Sequence, residues 1–469
     1  MHSRASKLRN AKRECRRESE ITRQDVDLSF RRPHREPDIQ TAAESSSGRF
    51  RWFLALCIAG FLRSVGPGAI NYLVVRHSPP GLERFAVWTL AASLASLAFS
   101  ILLAVVSFTA FIRYDGLRSR LGFPLVLLIL FSFLSRLVTT STSLFDLHAA
   151  LDQLALLGVI VALAALRPRM DDLRVLGFFG VVVAGYSIVF GLLKPANAVV
   201  PTPAGATSGT TKAIIGDLVL AGPMSHANSL GIFLALTFPF IGLWRKTSQR
   251  LVGSLLLIVV SVMSASRTAL IAIACVMLYY LACRALLDLR RRAMAGLVLL
   301  VTGSLVCVIP WVVKDPHAFS MRGMVWQGSL SAWQTHGSLI FGLGPYWDPN
   351  APRSFAALGA DRASGHNLMV QWLVTGGLFQ FLIGLVLFIL LARRALRCDP
   401  TLRVPAMTGF LLGFLIVSVT EFVLTFAVSS QLFMPTVFCF ATLLAGDYPN
   451  SEQPGPSTSR LNSFAGSRR

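Results

Sequence analysis

Charge is what this chain has least of. Only 14% of its 469 residues are Asp, Glu, Lys or Arg, where a soluble domain carries about 25%. So few charges cannot cover a soluble protein of 51.0 kDa. Cysteine is sparse as well: seven residues, an odd number, scattered singly with no CxxC pair and no His/Cys ligand spacing. That excludes a disulfide framework and a structural metal site. Neither GxxxxGK[ST] nor GxGxxG occurs, so no nucleotide site is expected. The first 49 residues lack the apolar run of a cleavable signal peptide.

What is abundant is apolar sequence. Hydrophobic residues make up 54% and the mean hydropathy is +0.60. Runs near or above the ~20 residues a bilayer requires fall at 51–74, 85–111, 122–140, 148–166, 174–192, 226–244, 250–264, 267–286, 293–313, 367–391, 405–424 and 429–446. The fold expected is an all-α, polytopic membrane bundle of about twelve transmembrane helices. It divides into a basic, unfolded tail (1–49), a transmembrane domain (50–446) and a second tail (447–469).

The net charge of +21 would suggest nucleic acid in a soluble protein. Here it follows topology. Basic residues fill every second gap: Arg113, Arg118 and Arg120; Arg167, Arg169 and Arg174; Arg245, Lys246 and Arg250; Arg284 and Arg290 to Arg292; Arg393, Arg394, Arg397 and Arg403. The gaps between are nearly neutral. By the positive-inside rule both tails face the cytoplasm, the number of spans is even, and no nucleic-acid partner is expected. Arg13, Arg16, Arg17, Arg31 and Arg32 of the first tail suit contact with anionic lipids.

Two long loops face outward, Leu193 to Ser225 and Lys314 to Gly365. A loop as long as the second is commonly functional. Within it Ser320 to His336 reads as a helix, with Arg322, Trp326, Leu330 and Trp333 near one face. Its tryptophans suggest a helix lying at the outer membrane interface.

Candidate functional residues gather at that outer side. His366 and Asn367 open one apolar run, His226 and Asn228 open another, Arg267 sits in the turn Ser264-Ala265-Ser266-Arg267-Thr268, and Arg322 lies on the loop helix. Arginine's planar fork suits phosphate oxygens, and a histidine that titrates near neutrality can take a proton from a sugar hydroxyl. Two arginines and a histidine at a membrane face fit transfer of a glycan from a lipid pyrophosphate. The bland alternatives are helix caps for the histidines and lipid-headgroup anchors for the arginines.

Charges within the runs are costly and usually paired. Arg136 and Asp152 are the expected pair. Glu421 lies near an outer end, and Arg63, with no sequence partner in view, is expected to touch a donor phosphate.

Several of these residues occur in an order that resembles the O-antigen ligase and O-antigen polymerase family of bacterial envelope proteins. They are Ser225-His226-Ala227-Asn228, Ser266-Arg267-Thr268, Arg322 four residues before Trp326, Phe341-Gly342-Leu343-Gly344-Pro345 and Gly365-His366-Asn367-Leu368. The match covers about residues 215–395. It implies a metal-independent, cofactor-free, inverting glycosyltransferase of the inner membrane. The donor would be a glycan on undecaprenyl pyrophosphate, and the acceptor a lipid A–core glycolipid in a ligase or another repeat unit in a polymerase. By resemblance His366 is the base, and Arg267 and Arg322 hold the pyrophosphate. The chain departs from the family at Thr375, where members often carry an acidic residue. A transporter of small solutes or bicarbonate is the alternative of another class. It would show paired internal repeats with broken helices, and the sequence shows no such repeat.

Overall fold

The computed structural model describes residues 39–75, 88–114, 121–139, 147–195, 199–201, 214, 218–286, 288–344, 365–402 and 404–446. The tail arginines, the second tail and the loop segment 345–364 lie outside them.

Thirteen α-helices account for most of the described residues: α1 (Ile39–Val74), α2 (Leu90–Arg113), α3 (Phe123–Thr139), α4 (Leu147–Leu166), α5 (Arg174–Leu193), α6 (Ala227–Ile241), α7 (Thr247–Met263), α8 (Arg267–Ala285), α9 (Asp288–Val312), α10 (Ala318–His336), α11 (Leu368–Cys398), α12 (Ala406–Thr420) and α13 (Cys439–Ala445). Each expected apolar run holds a helix. Six of the helices are long and apolar enough to cross a membrane; six other apolar helical segments, α6 and α12 among them, are shorter. The first helix starts at Ile39, so residues 39–49, expected in an unfolded tail, are helical. The loop between α5 and α6 contributes two short antiparallel strands, β1 (Val199–Pro201) and β2 (Leu218–Leu220), which its Pro- and Thr-rich sequence did not announce.

Burial explains which helices are short. Nearly every side chain of α6 and α12 is buried, as expected of helices apolar on all sides. At 15 residues each they are about 22 Å long, short of the ~30 Å hydrocarbon layer. They form the centre: α6 packs on α5, α7, α8 and α12, and α12 on α8, α9 and α11. The outer helices show the opposite pattern. On α2, Leu94, Leu97, Ile101, Val105 and Phe108 are exposed, an apolar surface that suits lipid rather than water.

Helix α11 is two helices. Gly377 has φ +65°, and a Cβ on Gly384 would lie 2.5 Å from the Trp372 indole. Twelve residues of straight helix would hold those Cα atoms about 18 Å apart, so the first half, 368–376, folds back along the second. The break leaves backbone groups to satisfy. The Phe341-Gly342-Leu343-Gly344 loop supplies the partners. Leu343 N donates to Val374 O at 2.7 Å and Gly344 N to Thr375 O at 3.2 Å, while Leu378 N and Phe379 N donate to Leu339 O at 2.9 Å and Ile340 O at 3.0 Å. A Cβ at Gly342 would sit 2.6 Å from Val374 O, and one at Gly377 would collide with Ile340 O. The glycine run and the Gly376-Gly377 pair are therefore one joint.

At the opposite end, Asp399 caps α12. Its carboxylate accepts from Met407 N and Thr408 N, each at 2.9 Å. Burial outweighs these bonds and pushes its pKa up to about 7.

Candidate active site

The site forms where three chain breaks meet. The first is the start of α11, where His366 adopts φ +48°, a left-handed conformation rare outside glycine. Asn367 follows as the helix cap, with Val370 N donating to its Oδ1 at 3.0 Å. The second is the end of α12, where the chain unwinds at Glu421 and stays non-helical to Ala427. The third is the entry to α10, where Phe319, Ser320 and Met321 all have positive φ. That left-handed turn sets Arg322 at the start of the regular helix.

Glu421 joins these elements. Arg322 Nη2 donates to its Oε1. Asn228 Nδ2, from the first turn of α6, donates to the same oxygen at 3.1 Å. His366 Nδ1 lies 3.3 Å from Oε2. The Glu421 and Arg322 side chains are 12% and 17% exposed, and His366 is 36% exposed, so the imidazole is the accessible member. The buried Arg322 Nε has no hydrogen-bond partner among the described residues, an uncompensated donor next to a cavity.

That cavity has a volume of about 800 Å³. Arg267, Thr268, Arg322 and Thr420 line its polar end, and Ile271, Leu278, Val298, Leu305 and Leu412 line its walls. Thr268 and Thr420 share a 2.8 Å hydrogen bond across the α8–α12 contact. The shape is a charged head with an apolar groove between α8, α9 and α12. Among the described residues, no three His, Cys, Asp or Glu side chains are grouped to hold a metal ion.

The structure thus gathers Arg267, Arg322, His366 and Asn228 into one region. Others serve different ends. His226 caps α6, with Asn228 N donating to Nδ1 at 3.0 Å. Asn367 is fully buried, and its Nδ2 donates to Val306 O at 3.1 Å and Val419 O at 2.9 Å. It clamps α9 and α12 beneath the histidine rather than facing a ligand. Arg63 is not at this site. It pairs with Asp152 at 3.1 Å and lines a separate cavity, so the carboxylate assigned to Arg136 by sequence goes to Arg63. Trp326 and Trp333 of α10 are buried in protein.

The residue that sequence reasoning underrated is Glu421. The signal was present: an ionisable residue inside an apolar run marks function by default. Thr375, where an acidic residue was expected, is fully buried. Its hydroxyl is bonded to Gln371 O at 2.7 Å and Gln380 Oε1 at 2.9 Å. It stands nine residues up the half-helix, about 13 Å from the His366 end. The carboxylate that faces the histidine comes instead from α12. Comparison with protein-family models and with curated protein sequences finds no match.

Proposed function

We propose that this chain is a membrane glycosyltransferase of the O-antigen ligase kind. It would move a glycan from undecaprenyl pyrophosphate to an acceptor hydroxyl at the outer face of the inner membrane. The observation that carries the reading is the accessible His366 held against Glu421 beside a groove with Arg267 and Arg322 at its head and apolar walls behind.

The chemistry follows from that geometry. A neutral His366 that donates from Nδ1 to Glu421 has its lone pair on Nε2. Nε2 takes the acceptor's hydroxyl proton, the oxygen attacks the anomeric carbon from the face opposite the pyrophosphate, and the bond to the phosphate oxygen breaks with inversion. Glu421 stabilises the imidazolium that results, which is the role of the acid in a catalytic triad. Arg267 and Arg322, whose Nε has no hydrogen-bond partner among the described residues, neutralise the leaving pyrophosphate. The groove takes the isoprenoid tail. Proton transfer of this kind contributes about 10²–10⁴-fold, and a well-placed charge donor about 10²–10³-fold.

About twelve spans with both tails cytoplasmic fit this placement. Arg267 opens α8 and Arg284 closes it, so the basic gaps lie about 25 Å from the site along one helix. A second reading, a small-solute or bicarbonate-type carrier, is favoured by the break at Gly377 and the unwound run after Glu421, since broken helices build transporter sites.

The test is His366→Ala in the native host, at matched membrane levels, with the undecaprenyl-linked glycans extracted and sized. Accumulated long chains identify a ligase, and accumulated single repeat units a polymerase. An unaltered profile refutes the transferase and brings the carrier forward.

A further inference from the structure

His366 stands in a left-handed conformation, φ +48°, which a residue other than glycine keeps only where its surroundings hold it. Asn367 behind it is extended, with φ −157°, and caps α11. Gly365 in front of it is fixed as well. Its N donates to Gln371 Oε1 at 2.8 Å, a buried bond that spans six residues. The Gln371 side chain thus reaches back over the start of α11 and closes a ring with His366 inside it.

The anchor is itself held. Gln371 is only 4% exposed. Its N donates to Asn367 O at 2.9 Å, and Thr375 Oγ1 lies 2.7 Å from its O. Thr375 Oγ1 also lies 2.9 Å from Gln380 Oε1, and Gln380 Nε2 donates to Ser135 Oγ at 3.0 Å. Thr375, Gln380 and Ser135 are buried. This polar chain ties the first half of α11 to its second half and to α3. A helix start does not require it, because Asn367 already caps the helix by accepting from Val370 N. Gln371 instead restrains a residue upstream of the cap, in a buried setting where a polar side chain is costly unless bonded.

We propose that Gln371 is a positioning residue for the transferase. It holds Gly365, and through it the left-handed His366, so that Nδ1 stays against Glu421 and Nε2 faces the acceptor hydroxyl. The inference rests on the proposed role of His366. The Nδ1–Glu421 distance of 3.3 Å is already long for a hydrogen bond, so a small drift of this backbone breaks it.

The test compares Gln371→Met, which keeps the length and removes the acceptor, with Gln371→Glu, whose carboxyl oxygen accepts from Gly365 N in either protonation state. Both are made in the full chain, purified in detergent. The first readout is turnover of an undecaprenyl-pyrophosphate-linked glycan with an acceptor glycan. Gln371→Met is expected to lower kcat about 10²-fold, the scale of a 1 Å misplacement, with KM within about twofold of wild type. Gln371→Glu is expected to restore most of the rate. The second readout needs no substrate: ¹⁵N NMR of histidine-labelled protein, at a pH where the imidazole is neutral, with the His366 signals assigned by their absence in His366→Ala. Wild type is expected to carry its proton on Nδ1, and Gln371→Met to lose that single tautomer. A purely structural glutamine would leave the tautomer as it is. Should Gln371→Met fail to fold, Gln371→Asn draws the oxygen back by one methylene, keeps an amide at the buried position, and decides the same point. Wild type that turns over no glycan while the tautomer still depends on Gln371 removes the transferase reading and leaves the positioning of His366 standing. Wild type without the single tautomer, or a variant lacking the bond to Gly365 that retains it, overturns the proposal.

Discussion

Glu421→Gln is the most informative substitution, because it keeps the shape of the side chain and removes only its charge. Glu421 accepts from Arg322 and Asn228 on one oxygen and faces His366 with the other. A glutamine oxygen can still accept from Arg322 and Asn228. The opposite end becomes an amide donor, however, and His366 Nδ1 must then accept. The imidazole proton moves to Nε2, the nitrogen that has to be basic, and a wrong tautomer disables a base of this kind. The imidazolium also loses its counter-charge, worth about 1.5–3 kcal/mol as a charge-assisted hydrogen bond. Together these raise the barrier by about 3–5 kcal/mol, or about 10²–10⁴-fold in turnover. Stability falls less. With the two side chains 12% and 17% exposed, the loss is about 1–2 kcal/mol. The assay measures free undecaprenyl pyrophosphate released by purified protein at matched concentration, with thermal unfolding alongside. Turnover within about threefold of wild type would refute the tautomer argument and detach Glu421 from the chemistry.

Arg322→Lys keeps the charge but loses the planar fork; it should lower turnover about tenfold or more, whereas Arg267→Gln, at an exposed position, should chiefly raise the KM for the lipid donor. Gly377→Ala places a side chain at φ +65° and against Ile340 O; a loss of about 2–4 kcal/mol is expected, read as a lower Tm and reduced membrane levels. Asp399 carries a folded pKa of about 7, above the ordinary carboxyl range. Its contribution to stability is therefore greatest at low pH and is lost as pH rises towards 7. The Tm of wild type should fall between about pH 4 and pH 7, and Asp399→Asn should flatten that slope.

Much of the fold was legible because the bilayer imposes a long apolar period that a single sequence displays. Every apolar run holds a helix. The joint at Gly377 was not legible. Gly376-Gly377 inside an apolar run reads as a flexible spot, and only the hydrogen bonds from Leu343 and Gly344 reveal that a loop thirty residues upstream completes it. The candidate site was half legible. His366, Arg267, Arg322 and Asn228 stand out as polar residues at the ends of apolar runs. Glu421 converges on three of these elements only through tertiary packing, and the Arg63–Asp152 pair spans 89 positions, with no local pattern to announce it. Asn367 shows the opposite error. A polar residue beside a candidate base read as a ligand contact, but full burial and three backbone partners make it a clamp.

The central claim is that His366 removes a proton from an acceptor hydroxyl while a lipid pyrophosphate leaves. The most direct measurement incubates the purified full chain with an undecaprenyl-pyrophosphate-linked glycan and an acceptor glycolipid or glycan. Released undecaprenyl pyrophosphate and elongated acceptor are then counted together. The account predicts one lipid pyrophosphate for each new glycosidic bond in wild type, and loss of both products by about 10²-fold or more in His366→Ala. Equal product from the two proteins, or pyrophosphate release with no acceptor gain, would contradict it.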